Sequence, residues 1–131
     1  RMTLATMLGL TAAAQNAEID CDNAMGQFEF NACAYKEFER ADAAMNAQWK
    51  VTAARMKKID AEFDRTQDSR PGYFDTLLAA QRAWLTYRDK HCASEGYTMR
   101  GGSAEPMVIS GCQTQLTDAR TKQLKDLLEE Y

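Results

Sequence analysis

Between residue 26 and about residue 65 the chain has no proline and no internal glycine, and Phe38, Ala41, Met45, Trp49, Thr52, Met56, Ile59 and Phe63 recur at steps of three or four. That spacing puts them on one face of a helix, with Thr52 as the polar interruption, and predicts one long amphipathic α-helix. Gly26 followed by Glu29 has the spacing of a capping box at its start, weakened because glycine offers no side-chain acceptor to the first-turn amides.

The stretch DSRPG at residues 68–72 ends this pattern, since Pro71 disfavours helical geometry at Arg70 and Gly72 frees the backbone to turn. A second helix is predicted next, with Phe74, Leu77, Leu78, Gln81, Trp84, Leu85, Arg88 and Cys92 on one broad face and an end near Glu95 and Gly96. The connection GYTMRGGSAE is by composition the most flexible stretch after the leader region. Pro106 then occupies a first-turn position, and Val108, Ile109, Cys112, Leu116, Ala119, Leu124 (or Gln123) and Leu127 predict a third amphipathic helix running to the end of the chain.

Short connections between consecutive helices favour antiparallel neighbours, so the expected fold is all-α, an antiparallel three-helix bundle. The start of the first helix, the end of the second and the start of the third then share one end. Cys33, Cys92 and Cys112 fall there, with Cys21 just upstream, so the disulfides are expected at that end. Loop-closure entropy favours the local pairs Cys21 with Cys33 and Cys92 with Cys112. Going from 11 to roughly 70 intervening residues adds only ~1.6 kcal/mol, so other connectivities stay open. About 40 residues at ~1.5 Å rise make a first helix of ~60 Å against ~35 Å for the second, so the first must overhang or bend near residues 57–65.

Composition changes the picture in two ways. The 131 residues, with 45% hydrophobic content, 7 Gly and 2 Pro, fit one helical domain. The opening RMTLATMLGLTAAAQNA has a single charge at Arg1, an apolar run and small residues, and reads as a signal-peptide remnant over 1–17 ahead of a domain over 18–131. The run is too short to span a membrane. Export to the periplasm or beyond also makes paired cysteines the default. Without residues 1–17, 15 basic and 19 acidic residues leave a formal charge of −4, which disfavours nucleic acid and suits a cationic protein partner.

The segment QRAWLTYRDKHC, residues 81–92, sets a histidine beside a cysteine. Adjacent helical residues point about 100° apart, so His91 is poorly placed to act as base for Cys92, and it is the sole histidine. The cysteines and His91 lack the close spacings of a zinc site, so neither metal nor cofactor is expected. Arg88 shares the inward face with Trp84 and Leu85, and an inward charge is costly unless paired. Asp42 and Arg120 fall at comparable heights, which makes Asp42, Arg88, Asp89 and Arg120 an expected interhelical ion network. Arginines beside Asp42 and Asp89 would keep both ionised and unfit as general acids. No nucleophile, metal set or phosphate loop points to an enzyme.

Several motifs carry a family likeness: C-x11-C at Cys21 and Cys33, AD-x2-MN from Ala41 to Asn46, QRAW-x2-YRD-x2-C from Gln81 to Cys92, GGS from Gly101 to Ser103, and C-x3-LT-x2-RT-x2-L from Cys112 to Leu124. In order and spacing the chain resembles the secreted bacterial domains named for the lysozyme inhibitor LprI. Gly26 departs from the pattern, which has a threonine ahead of the first helix. The resemblance implies an exported helical domain and, for the named member, inhibition of lysozyme, with no catalytic residues. The quoted motifs themselves read as framework.

These features leave two candidate functions. An inhibitor would present the loop of residues 96–106 to a cleft lined by two carboxylates. Arg100 would be the charged partner, Tyr97 a rigid anchor and Ser103 a small hydrogen-bonding group. In the plainer reading, Gly101, Gly102 and Ser103 only turn the chain into the third helix. The alternative function is an envelope adaptor whose surface, with Met25, Met45, Met56, Met99 and Met107, adapts to protein partners.

Overall fold

A computed structural model describes residues 18–131, and the expected leader over 1–17 lies outside the described residues. The fold is all-α. A 3-10 turn at Cys21–Asn23 precedes α1 (Gln27–Glu62), α2 (Tyr73–Gly96) and α3 (Glu105–Glu130), and a second 3-10 turn, Tyr97–Met99, follows α2 directly. Two disulfides, Cys21–Cys33 and Cys92–Cys112, lie at one end of the bundle.

The length mismatch among the helices is resolved by stagger. Asn31 near the start of α1 donates to the carbonyl of Ser103 just before α3, whereas Arg55 donates to the carbonyl of Tyr131 just after α3. The last turns of α1 project beyond that level and receive the start of α2. There the Asp60 carboxylate accepts the backbone N–H groups of Tyr73 and Phe74 at 2.7 and 3.0 Å. Those amides have no acceptor within their own helix, and Gly72 has no side chain to cap them, so α1 supplies the cap in trans. A Cβ at Gly72 would stand 2.7 Å from Asp60 Oδ1, so glycine is what lets the two helices approach there.

At the other end, Gly26 has φ +87°, a conformation that strains any residue with a Cβ. A threonine would be strained in this backbone. The capping box forms only in part: Glu29 reaches back to the N–H of Met25 at 2.6 Å, and Gly26 contributes no side-chain bond.

The apolar core is small, built on Met45, Met56, Leu77 and Leu124, with Trp49, Ile59, Phe74, Trp84 and Leu127 packed against it. Two threonines are buried with it. Thr52 donates its hydroxyl to the carbonyl of Leu124 at 2.9 Å, and Thr117 is equally buried. On α3 the inward positions therefore include Thr117, while Ala119, expected on the apolar stripe, faces solvent. The α1–α3 interface is the most extensive and the α1–α2 interface the least.

Candidate functional site

Arg88 projects from α2 into the bundle, and its side chain is 8% exposed. Nη1 donates to Asp42 Oδ1 of α1 at 3.1 Å and to Thr117 Oγ1 of α3 at 3.3 Å, and Nε donates to Asp89 Oδ1 at 3.0 Å. The guanidinium lies over the rings of Phe38 and Trp84, 5.0 and 5.4 Å from their centroids. Asp89 also accepts from Gln113 of α3 at 3.1 Å. One arginine thus ties all three helices together, with an acceptor on each.

Arg120 was expected in this network and is not in it. Its Nε donates to Gln81 Oε1 at 2.8 Å and its Nη1 to Gln123 Oε1 at 3.1 Å, while Nη2 is buried without a partner. No carboxylate pairs with Arg120 among the described residues. Burial with no compensating anion pushes its guanidinium below the usual arginine range. The physical reason is axial: the heights of the two arginines along the bundle differ. Arg120 stands one helical turn beyond Thr117, level with Gln81 rather than with Asp42 or Asp89.

The cysteine end is where the loop residues gather. The Cys92–Cys112 bond holds the end of α2 to the start of α3, with Cα atoms 5.4 Å apart. Gly96 permits that approach, since a Cβ there would meet Ile109 Cγ1 at 2.5 Å. Composition suggested a flexible connection; the structure has a built turn instead. Arg100 and Gly102 donate their N–H groups to the carbonyls of Tyr97 and Met99, at 3.1 and 2.8 Å. Gly101, at φ +76°, donates to the Glu105 carboxylate at 2.7 Å. Ser103 is fixed through its carbonyl, which accepts from Asn31 at 2.8 Å, and Ala104 is buried. Tyr97, Arg100 and Ser103 are exposed, and the Arg100 guanidinium lies 4.4 Å from the centre of the Tyr97 ring.

The same end exposes apolar side chains that the helical pattern left out. Met25 and Phe28 are each 81% exposed, and Phe30, Tyr35 and Met99 are also open to solvent. Phe28, Phe30 and Tyr35 precede Phe38, where the apolar stripe read from the sequence of α1 begins. A shallow concavity of about 420 Å³ adjoins the turn, bordered by Tyr35, Gly101, Gly102, Pro106 and Ile109. Met45 and Met56 belong to the core, which leaves Met25 and Met99 as the exposed members of the methionine set.

His91 lies on the surface, stacked on Tyr87 and 3.7 Å from Glu95. Cys112 approaches this pair closely enough to suggest a metal site. Its sulfur is committed to the disulfide and cannot act as a thiolate ligand.

A larger concavity of about 760 Å³ lies at the opposite end, bounded by the 63–72 connection, the start of α2 and the end of α3. No helix among the described residues is long and apolar enough to cross a membrane.

Comparison with known proteins gives the class of this all-α bundle, which is stapled at one end, has Arg88 bonded to all three helices and carries an ordered turn beside the staple. Residues 20–124 match the family described as Lysozyme inhibitor LprI, and the chain belongs to that family. It is also 42% identical over 118 residues to an uncharacterised protein of Rhizobium meliloti (strain 1021), covering 90% of this chain and 85% of the relative. No solved structure matches the chain.

Proposed function

We propose that the domain is an exported, non-catalytic binding protein that inhibits a lysozyme by occluding its substrate cleft. Membership of the LprI family carries this reading. Two disulfides in a small domain suit a periplasmic or secreted location. In this reading the contact surface is the cysteine end, where an exposed turn is held by its own hydrogen bonds and by Cys92–Cys112. A turn ordered in advance loses little entropy on association. Tyr97 supplies a flat anchor and Arg100 a charge for the cleft carboxylates. Phe28 and Met25 add apolar area beside them. Exposed Glu18, Asp20 and Asp22 at the same end attract a cationic target at long range.

Purified protein should block cell-wall lysis by at least one lysozyme type in a turbidity assay. Replacing both Arg100 and Ser103 by alanine should weaken inhibition about tenfold or more, equivalent to about 1.4 kcal/mol, without lowering the melting temperature. Added salt should slow association. Full inhibition by that double variant would move the contact surface elsewhere. If no lysozyme type is inhibited, the inhibitor reading fails and the adaptor reading replaces it.

A further inference from the structure

The shallow concavity of about 420 Å³ beside the 97–104 turn lies at the small end of the range of ligand sites. Glu105 is the only charged residue on its border, and no cation pairs with that carboxylate among the described residues. Its Oε2 accepts the N–H of Gly101 at 2.7 Å, which leaves Oε1 free. Ser110 is 5% exposed, and its hydroxyl makes no hydrogen bond among the described residues. Arg120 Nη2 is the one side-chain polar atom there that is both unpartnered and sealed from water, so Ser110 Oγ opens to solvent on the concavity that the residue lines. Gln113 gives its amide N–H to Asp89 at 3.1 Å, and its carbonyl oxygen remains as an acceptor. Pro106 and Ile109 supply an apolar floor, and the half-exposed ring of Tyr35 borders the same space from α1.

We propose, resting on the inhibitor reading for the partner's positive charge, that this concavity receives a lysine side chain of the cationic target. Ser110 and Gln113 follow Glu105 by five and eight positions on α3, about 7–12 Å along the axis. A compact cation cannot meet both ends of that space, whereas a lysine on its own backbone can. The methylene stem crosses Pro106 and Ile109 beside the Tyr35 ring, the ammonium reaches Glu105, and the peptide groups flanking the lysine bond Ser110 and Gln113. One free carboxylate oxygen suits a point charge, while the fork of an arginine calls for two. Tyr35 adds an aromatic face that attracts the ammonium. The bond to Gly101 holds Glu105 in place before contact, so little ordering accompanies binding.

The probes are acetyl-Gly-Lys-Gly-amide and the same peptide with norleucine, which keeps the apolar stem and lacks the charge. Titration of the intact protein followed by heteronuclear NMR should show saturable binding of the lysine peptide, at least about threefold tighter than the norleucine peptide, with shifts centred on the Gly101, Glu105, Ser110 and Gln113 amides. Added salt should erase the difference. Glu105→Gln, which retains an oxygen for the Gly101 N–H, should remove the preference for lysine. Tyr35→Ala, at an exposed ring, should weaken both peptides, and it keeps the test decisive should Glu105→Gln loosen the turn. Against a lysozyme that the parent inhibits, Glu105→Gln should raise the inhibition constant about three- to fivefold. Equal binding of the two peptides, no saturable binding of either, or an undiminished lysine preference in Glu105→Gln would each overturn the assignment. Spermidine giving the same shifts at lower concentration would also overturn it, in favour of a polyamine site. Selective binding of the lysine peptide by a protein that inhibits no lysozyme would support the pocket and defeat the inhibitor reading, whereas inhibition without any peptide selectivity would defeat the pocket alone.

Discussion

Replacing Arg88 by alanine removes the side chain that joins the three helices, and the size of the loss can be worked from its surroundings. Thr117 Oγ1, fully buried, loses the donor at 3.3 Å, at a cost of about 1 kcal/mol or somewhat more. Contacts of the guanidinium with Phe38 and Trp84 contribute about 0.5–1 kcal/mol each. The carboxylates behave differently. The side chains of Asp42 and Asp89 are 37% and 55% exposed, so water takes over from the arginine, and the 3–5 kcal/mol typical of breaking a sealed pair is not reached. The expected destabilisation is about 2–3 kcal/mol, or roughly 10 °C in a domain of this size. Thermal and urea unfolding followed by circular dichroism, with the disulfides intact, would measure it. Arg88→Met, which keeps much of the stem, should lose less. A melting temperature for Arg88→Ala within about a degree of the parent would show that the arginine is solvated and that the interhelical tie does not exist.

Asp60→Ala should cost about 1–2 kcal/mol by uncapping α2 from outside, and hydrogen exchange at the Tyr73 and Phe74 amides should quicken selectively. Gly72→Ala, whose Cβ would press on the same carboxylate, should show the same exchange signature, and unchanged protection in both variants would refute the trans cap. Asp68 is held well below the usual carboxylate range, first by the Arg70 side chain and then by the Arg70 amide. Its contribution to stability is therefore present above the ordinary carboxylate range and is lost as pH falls through the depressed value. Arg70→Gln should raise the Asp68 titration in NMR, and an unmoved midpoint would contradict the pairing. Serine at both Cys92 and Cys112 should cost ~3 kcal/mol for a loop of 20 residues, and peptide mapping without reduction should recover Cys21 with Cys33 and Cys92 with Cys112.

The helices and the disulfide end could be read from the sequence because both depend on period and chain length alone. The Arg88 cluster was legible for a related reason: an arginine on an inward helical face must find acids, and Asp42 and Asp89 were within one turn of its level. Arg120 is the counter-case. Height within one helix follows from residue number, but the register between helices, which sets Arg120 level with Gln81 rather than Asp42, depends on how they pack. Thr117 falls outside the apolar pattern because it is polar, although its hydroxyl suits the buried guanidinium. The turn at 97–104 was misjudged from glycine content, since Gly101 and Gly102 serve to position amides for Glu105 and Met99. The large cavity arises where three elements of unequal reach fail to close over one another, and no local pattern encodes that.

The stagger of the bundle gives its two ends different kinds of vulnerability. Both covalent bridges close the end formed by the first turns of α1 and α3, whereas the far end is closed by ring contacts of Tyr73 with Phe63 and Tyr131 and by the Asp60 cap. Thermal opening short of global unfolding should therefore begin at the far end, where each closing contact is reversible and the 63–70 connection is exposed. Proteases acting on the native protein would cut there first. A reductant would loosen the opposite end. The turn that bears Arg100 would then answer to the redox state of its surroundings, and the cavity that bears Arg120 to temperature, so the two ends can be disabled independently in a single molecule.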